Sequence, residues 1–94
     1  MSRTNVFPPG TVTLSGVVTE TTAAGPIPVA GARVVRPVRD SAQSALTDEN
    51  GSYAISGLFI AYGAVETYRS GYIIDKRIVI VNGDTRLDDT LVRQ

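Results

Sequence analysis

The chain has 94 residues, 43% of them hydrophobic, and it contains neither cysteine nor histidine. Nine basic residues balance nine acidic ones, so the chain lacks the basic field on which nucleic-acid binding depends. Without cysteine and histidine, disulfides, thiolate catalysis, the usual transition-metal sites and the commonest general base are excluded. No apolar run approaches the ~20 residues of a membrane helix, so membrane insertion is not expected.

A single domain is expected from this length. We interpret residues 1–10 as an extended N-terminal arm and residues 11–94 as one β-sandwich domain. The arm lacks the apolar core of a signal peptide. The compartment therefore depends on the parent protein: a complete chain would be cytoplasmic, whereas a fragment would favour the cell surface.

Short runs of β-branched residues, separated by Gly, Pro, Asn and Asp, predict an all-β fold. Residues 11–19 alternate apolar and polar side chains and are predicted to form a half-buried first strand. Residues 20–28 are rich in Thr, Ala, Gly and Pro and predict an exposed loop. Further strands are predicted at residues 31–38, 43–48, 52–56, 64–69, 73–81 and 85–92.

Two turn motifs are predicted to close hairpins. Asp48 can accept hydrogen bonds from its own downstream backbone, and Asn50-Gly51 supplies a positive φ, so a tight turn is expected there. Asn82-Gly83-Asp84 carries a second hairpin signal. With these turns, the runs predict a seven-stranded antiparallel β-sandwich.

Several stretches follow one another in a characteristic order: Ser15-Gly16-Val17-Val18, residues 27–34, residues 47–55, Gly57-Leu58, Gly71-Tyr72 and the pair Leu87 and Leu91. Together they resemble the carboxypeptidase regulatory-like domain, which belongs to the transthyretin-like group of β-sandwiches. The resemblance implies a transthyretin-like fold and a non-catalytic accessory role, and it assigns no catalytic residue. Positions 59–63 depart from the family pattern, which has a Pro-Gly or Ala-Gly turn there.

Two acidic groups are candidate cation ligands: Asp48-Glu49-Asn50, and Asp84 with Asp88 and Asp89. Calcium takes roughly six to eight oxygens, and neither group has the spacing of a helix–loop–helix calcium loop. We interpret the first group as an Asx turn and the second as a solvated strand edge. No metal site and no cofactor are therefore expected.

No catalytic constellation is present, so no enzyme activity is expected. The chain has no histidine that could link a serine to a carboxylate in a catalytic triad, and Lys76 is the only amine side chain. The stretch Tyr68-Arg69-Ser70-Gly71 is similar to the terminal tetrapeptide of transthyretin-like hydroxyisourate hydrolases. However, its last two residues are exchanged, and the histidines of those enzymes are missing.

Asp89 poses a packing problem, because it lies between Leu87 and Leu91 on the face expected to point inward. A buried carboxylate must be paired or neutral. Two solutions are open. A bulge or strand end turns the side chain outward, which we favour, or an arginine such as Arg33 or Arg77 pairs with it.

Several strands carry branched apolar residues on both faces, although an open antiparallel sheet needs only one apolar face. These outer residues either lie singly among polar ones or form a patch that binds a protein. We predict a non-catalytic structural or protein-interaction module that binds a partner or self-associates. Carbohydrate binding through exposed tyrosines and a small ligand-binding oligomer are the alternatives. The predicted interaction surface comprises Phe59, Ile60, Tyr62, Tyr68, Val35, Val79 and Val81.

Overall fold

The computed structural model describes residues 12–38, 41–58 and 61–94, with side chains at positions 37, 38, 41, 42, 61 and 62 outside the description. The predicted N-terminal arm, residues 1–10, also lies outside it. The described ranges contain strands and turns but no helix. The strands are β1 (Val12–Thr22), β2 (Gly25–Pro28), β3 (Arg33–Val38), β4 (Ser41–Leu46), β5 (Ser52–Leu58), β6 (Ala61–Tyr68), β7 (Tyr72–Ile73), β8 (Asp75–Val81), β9 (Thr85–Arg86), β10 (Asp89–Thr90) and β11 (Val92–Arg93).

Two main sheets enclose one core, which confirms the predicted β-sandwich. In the first sheet, β1 pairs antiparallel with β2 and β5 and parallel with β9 and β10. The second sheet has the order β4-β3-β6-β8 and is antiparallel throughout. A short ribbon of β7 and β11 adjoins them.

The core is built from the inward faces of both sheets. β1 alternates buried and half-buried side chains from Val12 to Glu20, as its apolar–polar alternation predicts. Its buried apolar residues belong to one cluster with buried residues of β3, β5, β6 and β8. The fully buried apolar side chains of largest volume are Leu14, Leu58, Leu91, Val18, Val34, Val65 and Val81.

Residues 20–28 are mostly exposed, as predicted, but the prediction of a loop is wrong for most of this segment. β1 continues to Thr22 and forms a hairpin with β2, with Thr22 opposite Gly25. The Thr22 hydroxyl donates a 2.6 Å hydrogen bond to the Gly25 carbonyl oxygen and accepts one from the Ala24 N–H at 3.2 Å. The Thr22 side chain thus closes the turn through local hydrogen bonds that composition alone does not reveal.

The turn at Asp48 has the predicted chemistry but a different role. Asp48 Oδ1 accepts hydrogen bonds from the N–H groups of Asn50 at 2.8 Å and Ser52 at 2.9 Å. Yet β4 pairs with β3 and β5 pairs with β1, so the turn carries the chain from one sheet to the other. The predicted hairpin is wrong, because strand partners are chosen by the core and the turn is compatible with both arrangements.

The second predicted hairpin, at Asn82-Gly83-Asp84, is wrong for the same reason. It connects β8 of the second sheet to β9 of the first. The predicted seventh strand, residues 85–92, is broken into β9, β10 and β11, and the first two run parallel to β1. Backbone bonds from Leu87 N to Ser15 O and from Leu91 N to Thr19 O, both 2.8 Å, hold this segment along β1.

Asp84 and Asp88, which were expected to form a solvated strand edge, instead hold residues 84–88 against β1. Asp84 Oδ1 accepts the Thr13 N–H and Asp88 Oδ1 accepts the Val17 N–H, both at 2.9 Å. Arg86 bonds the Asp88 carboxylate, and these two donors hold the pKa of Asp88 below its ordinary value, with Arg86 the larger cause. These carboxylates therefore fasten β9 to β1.

Asp89 points inward, so the favoured outward placement is wrong and the alternative pairing holds. Its side chain is 3% exposed and lies 3.3 Å from the guanidinium of Arg77. Burial first, and then the hydrogen bond and charge of Asp75, raise the pKa of Asp89 to about 6. The Thr67 hydroxyl and Arg77 oppose that rise. Arg77 therefore offsets part of the cost of burying this carboxylate.

The raised pKa of Asp89 predicts how stability depends on pH. An aspartate in an unfolded chain has a pKa of about 3.9. Between that pH and about 6, Asp89 therefore binds a proton in the folded state that it has lost in the unfolded state. The stability tied to this proton is fully present below about pH 4 and is lost as pH rises through about 6. We expect Asp89→Asn to have the same free energy of unfolding as the parent at pH 4. At pH 7 its free energy of unfolding should be about 1–3 kcal/mol higher, because asparagine has no charge to bury.

Urea unfolding of the parent and of Asp89→Asn from pH 3 to 7 measures this difference directly. Asp88→Asn is the control with the opposite sign, because the lowered pKa of Asp88 predicts a loss of stability that is larger at pH 7 than at pH 3. A gap between parent and Asp89→Asn that does not vary from pH 4 to 7 would contradict the prediction.

Candidate functional site

The most accessible apolar surface lies on the outer face of the second sheet. Residues paired across neighbouring strands lie on the same face, so the register of β4, β3, β6 and β8 defines which side chains share it. We call this set the outer face: Ser44 and Leu46 of β4, Arg33 and Val35 of β3, Ala64, Glu66 and Tyr68 of β6, and Lys76, Ile78 and Ile80 of β8.

The outer face is apolar along β8. Ile78 is 65% exposed and Ile80 is 72% exposed, and Ala64 lies opposite Ile78 on β6. Among the described strands, β8 pairs with β6 alone, so it forms an edge of the sheet. Two large and mostly exposed isoleucines therefore project from an edge of the described sheet.

The middle of the outer face is polar and locally neutral. The Glu66 carboxylate lies 3.9 Å from Lys76 Nζ and accepts a hydrogen bond from the Tyr68 hydroxyl. That bond raises the pKa of Tyr68. Val35 is half-buried and lies opposite Glu66. The charges here are satisfied within the face.

The predicted interaction surface agrees only in part with the residues that the structure exposes. Val35 and Tyr68 lie on the outer face, and their part in binding stays a prediction. Val81 is completely buried and Val79 packs against the core, so placing them outside is wrong. The apolar run 78–81 has no alternation, and only its register with β6 shows that Ile78 and Ile80 are the outward pair. Phe59, Ile60 and the side chain of Tyr62 lie outside the described residues.

A groove of about 570 Å³ adjoins the Arg33–Tyr68 row of the outer face. Arg69 lies against Gly31, and its Nε donates a 3.0 Å hydrogen bond to the Ala30 carbonyl oxygen. Arg33 donates to the Ser44 hydroxyl at 3.2 Å. The sequence patterns did not indicate this groove. The lining residues are Gly31, Arg33, Leu46, Tyr68, Arg69, Ser70, Gly71, Tyr72, Ile74 and Gln94.

A charged cluster fixes the tyrosine of the groove wall. The Glu20 carboxylate accepts the Tyr72 hydroxyl at 2.6 Å and two bonds from Arg93, at 2.8 and 2.9 Å. Arg93 also lies 5.0 Å from the centre of the Tyr72 ring. The bonds from Arg93, and then from Tyr72, lower the pKa of Glu20. These groups satisfy one another, so they position Tyr72.

The described part of the chain shows no grouping of three acidic side chains that could hold a metal ion. Nor does that part include a helix long and apolar enough to span a membrane.

Comparison with known proteins shows similarity only at the level of solved structures, since no protein-family model and no curated protein matches the chain. Two matches come from interface mutants of a type II cohesin–X–dockerin complex of Acetivibrio cellulolyticus. The N-terminal interface mutant has 23% identity and a TM-score of 0.71 over 88% of this chain. The C-terminal interface mutant has 25% identity and a TM-score of 0.70 over 86%.

A third match is a minor pilin of Streptococcus agalactiae, with 18% identity and a TM-score of 0.59 over 95% of this chain. The chain spans 58% and 57% of the two matched chains from the complex and 46% of the pilin. These similarities agree with the β-sandwich fold. The resemblance to the carboxypeptidase regulatory-like domain in particular stays a prediction.

Proposed function

We propose that this chain is a non-catalytic protein-interaction module that docks a partner protein on its outer face. The observation that carries the proposal is the exposed pair Ile78 and Ile80 on the edge strand β8. Burying one such side chain is worth about 1.5–3 kcal/mol, so the pair alone could anchor a weak contact. Edge strands also offer unpaired backbone groups to a partner.

The solved structures with the same fold support this proposal. Two of them come from a protein–protein complex whose interface was mutated, and the third is a pilin. Carbohydrate binding has less support, because the Tyr68 hydroxyl is bonded to Glu66 and the Tyr72 hydroxyl to Glu20. A location at the cell surface stays part of the proposal.

Replacing both outward isoleucines tests the proposal. We expect Ile78→Thr with Ile80→Thr to change stability by less than about 1 kcal/mol, because the side chains are exposed and threonine suits a strand. The same change should abolish association, because a partner would lose its apolar contact. Sedimentation velocity over a concentration series measures self-association. Cross-linking to proteins of the source cell, read by mass spectrometry, measures other partners.

The matched control is Ile27→Thr with Val92→Thr, which removes two exposed apolar residues from β2 and β11. The control should associate like the parent. Equal association of the parent and both double variants would show that the outer face is not the interface.

A further inference from the structure

We propose that the groove beside the outer face binds a protein segment in which a carboxylate side chain is flanked by apolar residues. This inference rests on the proposed function, since the segment would belong to the protein docked on the outer face. Arg33 and Tyr68 belong to both surfaces, so a single partner can cover them together.

The groove contains two guanidinium groups, those of Arg33 and Arg69, that form no ion pair with the described residues. Arg77, Arg86 and Arg93 each lie within 4.0 Å of a carboxylate. The described ion pairs include neither Arg33 nor Arg69. Two guanidinium groups on one groove favour an anionic ligand.

The two guanidinium groups are also held in place by neutral acceptors. Arg69 uses its Nε–H to bond the Ala30 carbonyl oxygen, and Arg33 uses one N–H to bond the Ser44 hydroxyl. An arginine has five N–H donors in a planar fork, so each retains donors for a carboxylate. Anchoring one N–H orients the fork before a ligand arrives, which lowers the entropy lost on binding.

Two aliphatic side chains stand beside the polar groups of the groove. Leu46 is 56% exposed and Ile74 is 57% exposed, and both line the groove. Tyr72 is fixed by Glu20 and Arg93, and Gly71 has no neighbouring atom within 4 Å of the place where a side chain would begin. A free phosphate would leave the aliphatic side chains uncovered. A carboxylate beside a leucine-sized side chain matches both the charge and these side chains.

Titration of the ¹⁵N-labelled chain with capped peptides tests the assignment. The probe is acetyl-Leu-Glu-Leu-amide, and its neutral counterpart is acetyl-Leu-Gln-Leu-amide. We expect the glutamate peptide to shift the amide signals of Gly31 and Gly71. It should bind about tenfold more tightly than the glutamine peptide, a ratio that corresponds to ~1.4 kcal/mol of binding free energy. Its affinity should fall as salt is raised.

Arg69→Gln is expected to weaken binding of the glutamate peptide about tenfold, and Arg69→Lys to lose less because it keeps the charge. Arg86→Gln is the matched control, since it removes an equal charge from β9 and should leave binding unchanged. The dispersed amide spectrum of each variant shows whether it is folded. Should Arg69→Gln unfold, Arg33→Gln supplies the same comparison.

Three results would overturn the proposal: no binding of the glutamate peptide at millimolar concentration, equal affinity for both peptides, or inorganic phosphate binding as tightly as the glutamate peptide. The peptide experiment contains no partner protein and leaves Ile78 and Ile80 unchanged. Its failure therefore leaves the docking proposal standing, and failure of the isoleucine experiment leaves the peptide result standing.

Discussion

Replacing Gly16 with alanine is expected to lower the free energy of unfolding by about 3 kcal/mol or more, because the new methyl group would collide with backbone. A Cβ at this position would lie 1.9 Å from the carbonyl oxygen of Leu87 and 2.6 Å from its carbonyl carbon. Backbone atoms cannot rotate away as a flexible side chain can. Either β1 or the segment after β9 must therefore shift.

Three hydrogen bonds hold residues 87 and 88 in place, and a shift of this segment would break them. Leu87 N donates to Ser15 O at 2.8 Å, and the Leu87 carbonyl oxygen accepts the Tyr53 hydroxyl at 2.6 Å. Asp88 accepts the Val17 N–H at 2.9 Å. Breaking the Tyr53 bond would be costly, because Tyr53 is buried. Burial is also the main reason why the pKa of Tyr53 is raised, so the hydroxyl keeps its proton and acts as a donor. This hydroxyl needs a partner.

Gly63→Ala is the matched control, since Gly63 also lies in a strand and has an ordinary φ. Its added methyl would meet only the Arg36 guanidinium, at 3.7 Å, which is ordinary contact. We expect its stability to stay within about 0.5–1 kcal/mol of the parent. Thermal melts compare the three proteins. A midpoint for Gly16→Ala within a few degrees of the parent would refute the collision, because about 3 kcal/mol corresponds to ~10 °C or more at this size.

Gly51→Ala is expected to destabilise the fold by about 2–4 kcal/mol through two separable effects. Gly51 has φ of +76°, which disfavours any side chain. In addition, an added Cβ would lie 2.4 Å from the Val18 carbonyl oxygen. That oxygen accepts the Val29 N–H at 2.9 Å, and Val18 N donates to the Gly51 carbonyl oxygen at 2.8 Å. The collision therefore falls where the Asp48 turn crosses β1.

Gly71→Ala separates the two effects. Gly71 has φ of +89°, but nothing lies within 4 Å of the point where a methyl group would be added, so alanine there meets only the backbone cost of about 1 kcal/mol. Urea unfolding should rank the parent above Gly71→Ala, and Gly71→Ala above Gly51→Ala. If the two glycine variants lost equal stability, positive φ alone would explain Gly51.

The candidate site was only partly predictable, and its residues show why. The sequence indicated surplus apolar residues on strand 73–81, and the outer face carries them. The prediction chose Val79 and Val81 as outward residues, and this choice was wrong. Four consecutive branched side chains have no period that distinguishes the two faces, and the register with β6 turns Ile78 and Ile80 outward. The groove depends on Arg33, Leu46 and Tyr72, which come from three separate parts of the chain.

Features that depend on near neighbours could be predicted from the sequence. The alternation in β1, the Asx turn at Asp48 and the exclusion of cysteine and histidine chemistry all follow from residue types and short spacings. Features that depend on distant partners emerged only in the folded chain, which places β4 and β5 in different sheets, lays β9 along β1 and pairs Asp89 with Arg77. The difference arises because a turn motif specifies a change of direction, whereas burial of the shared core selects the strand that follows it.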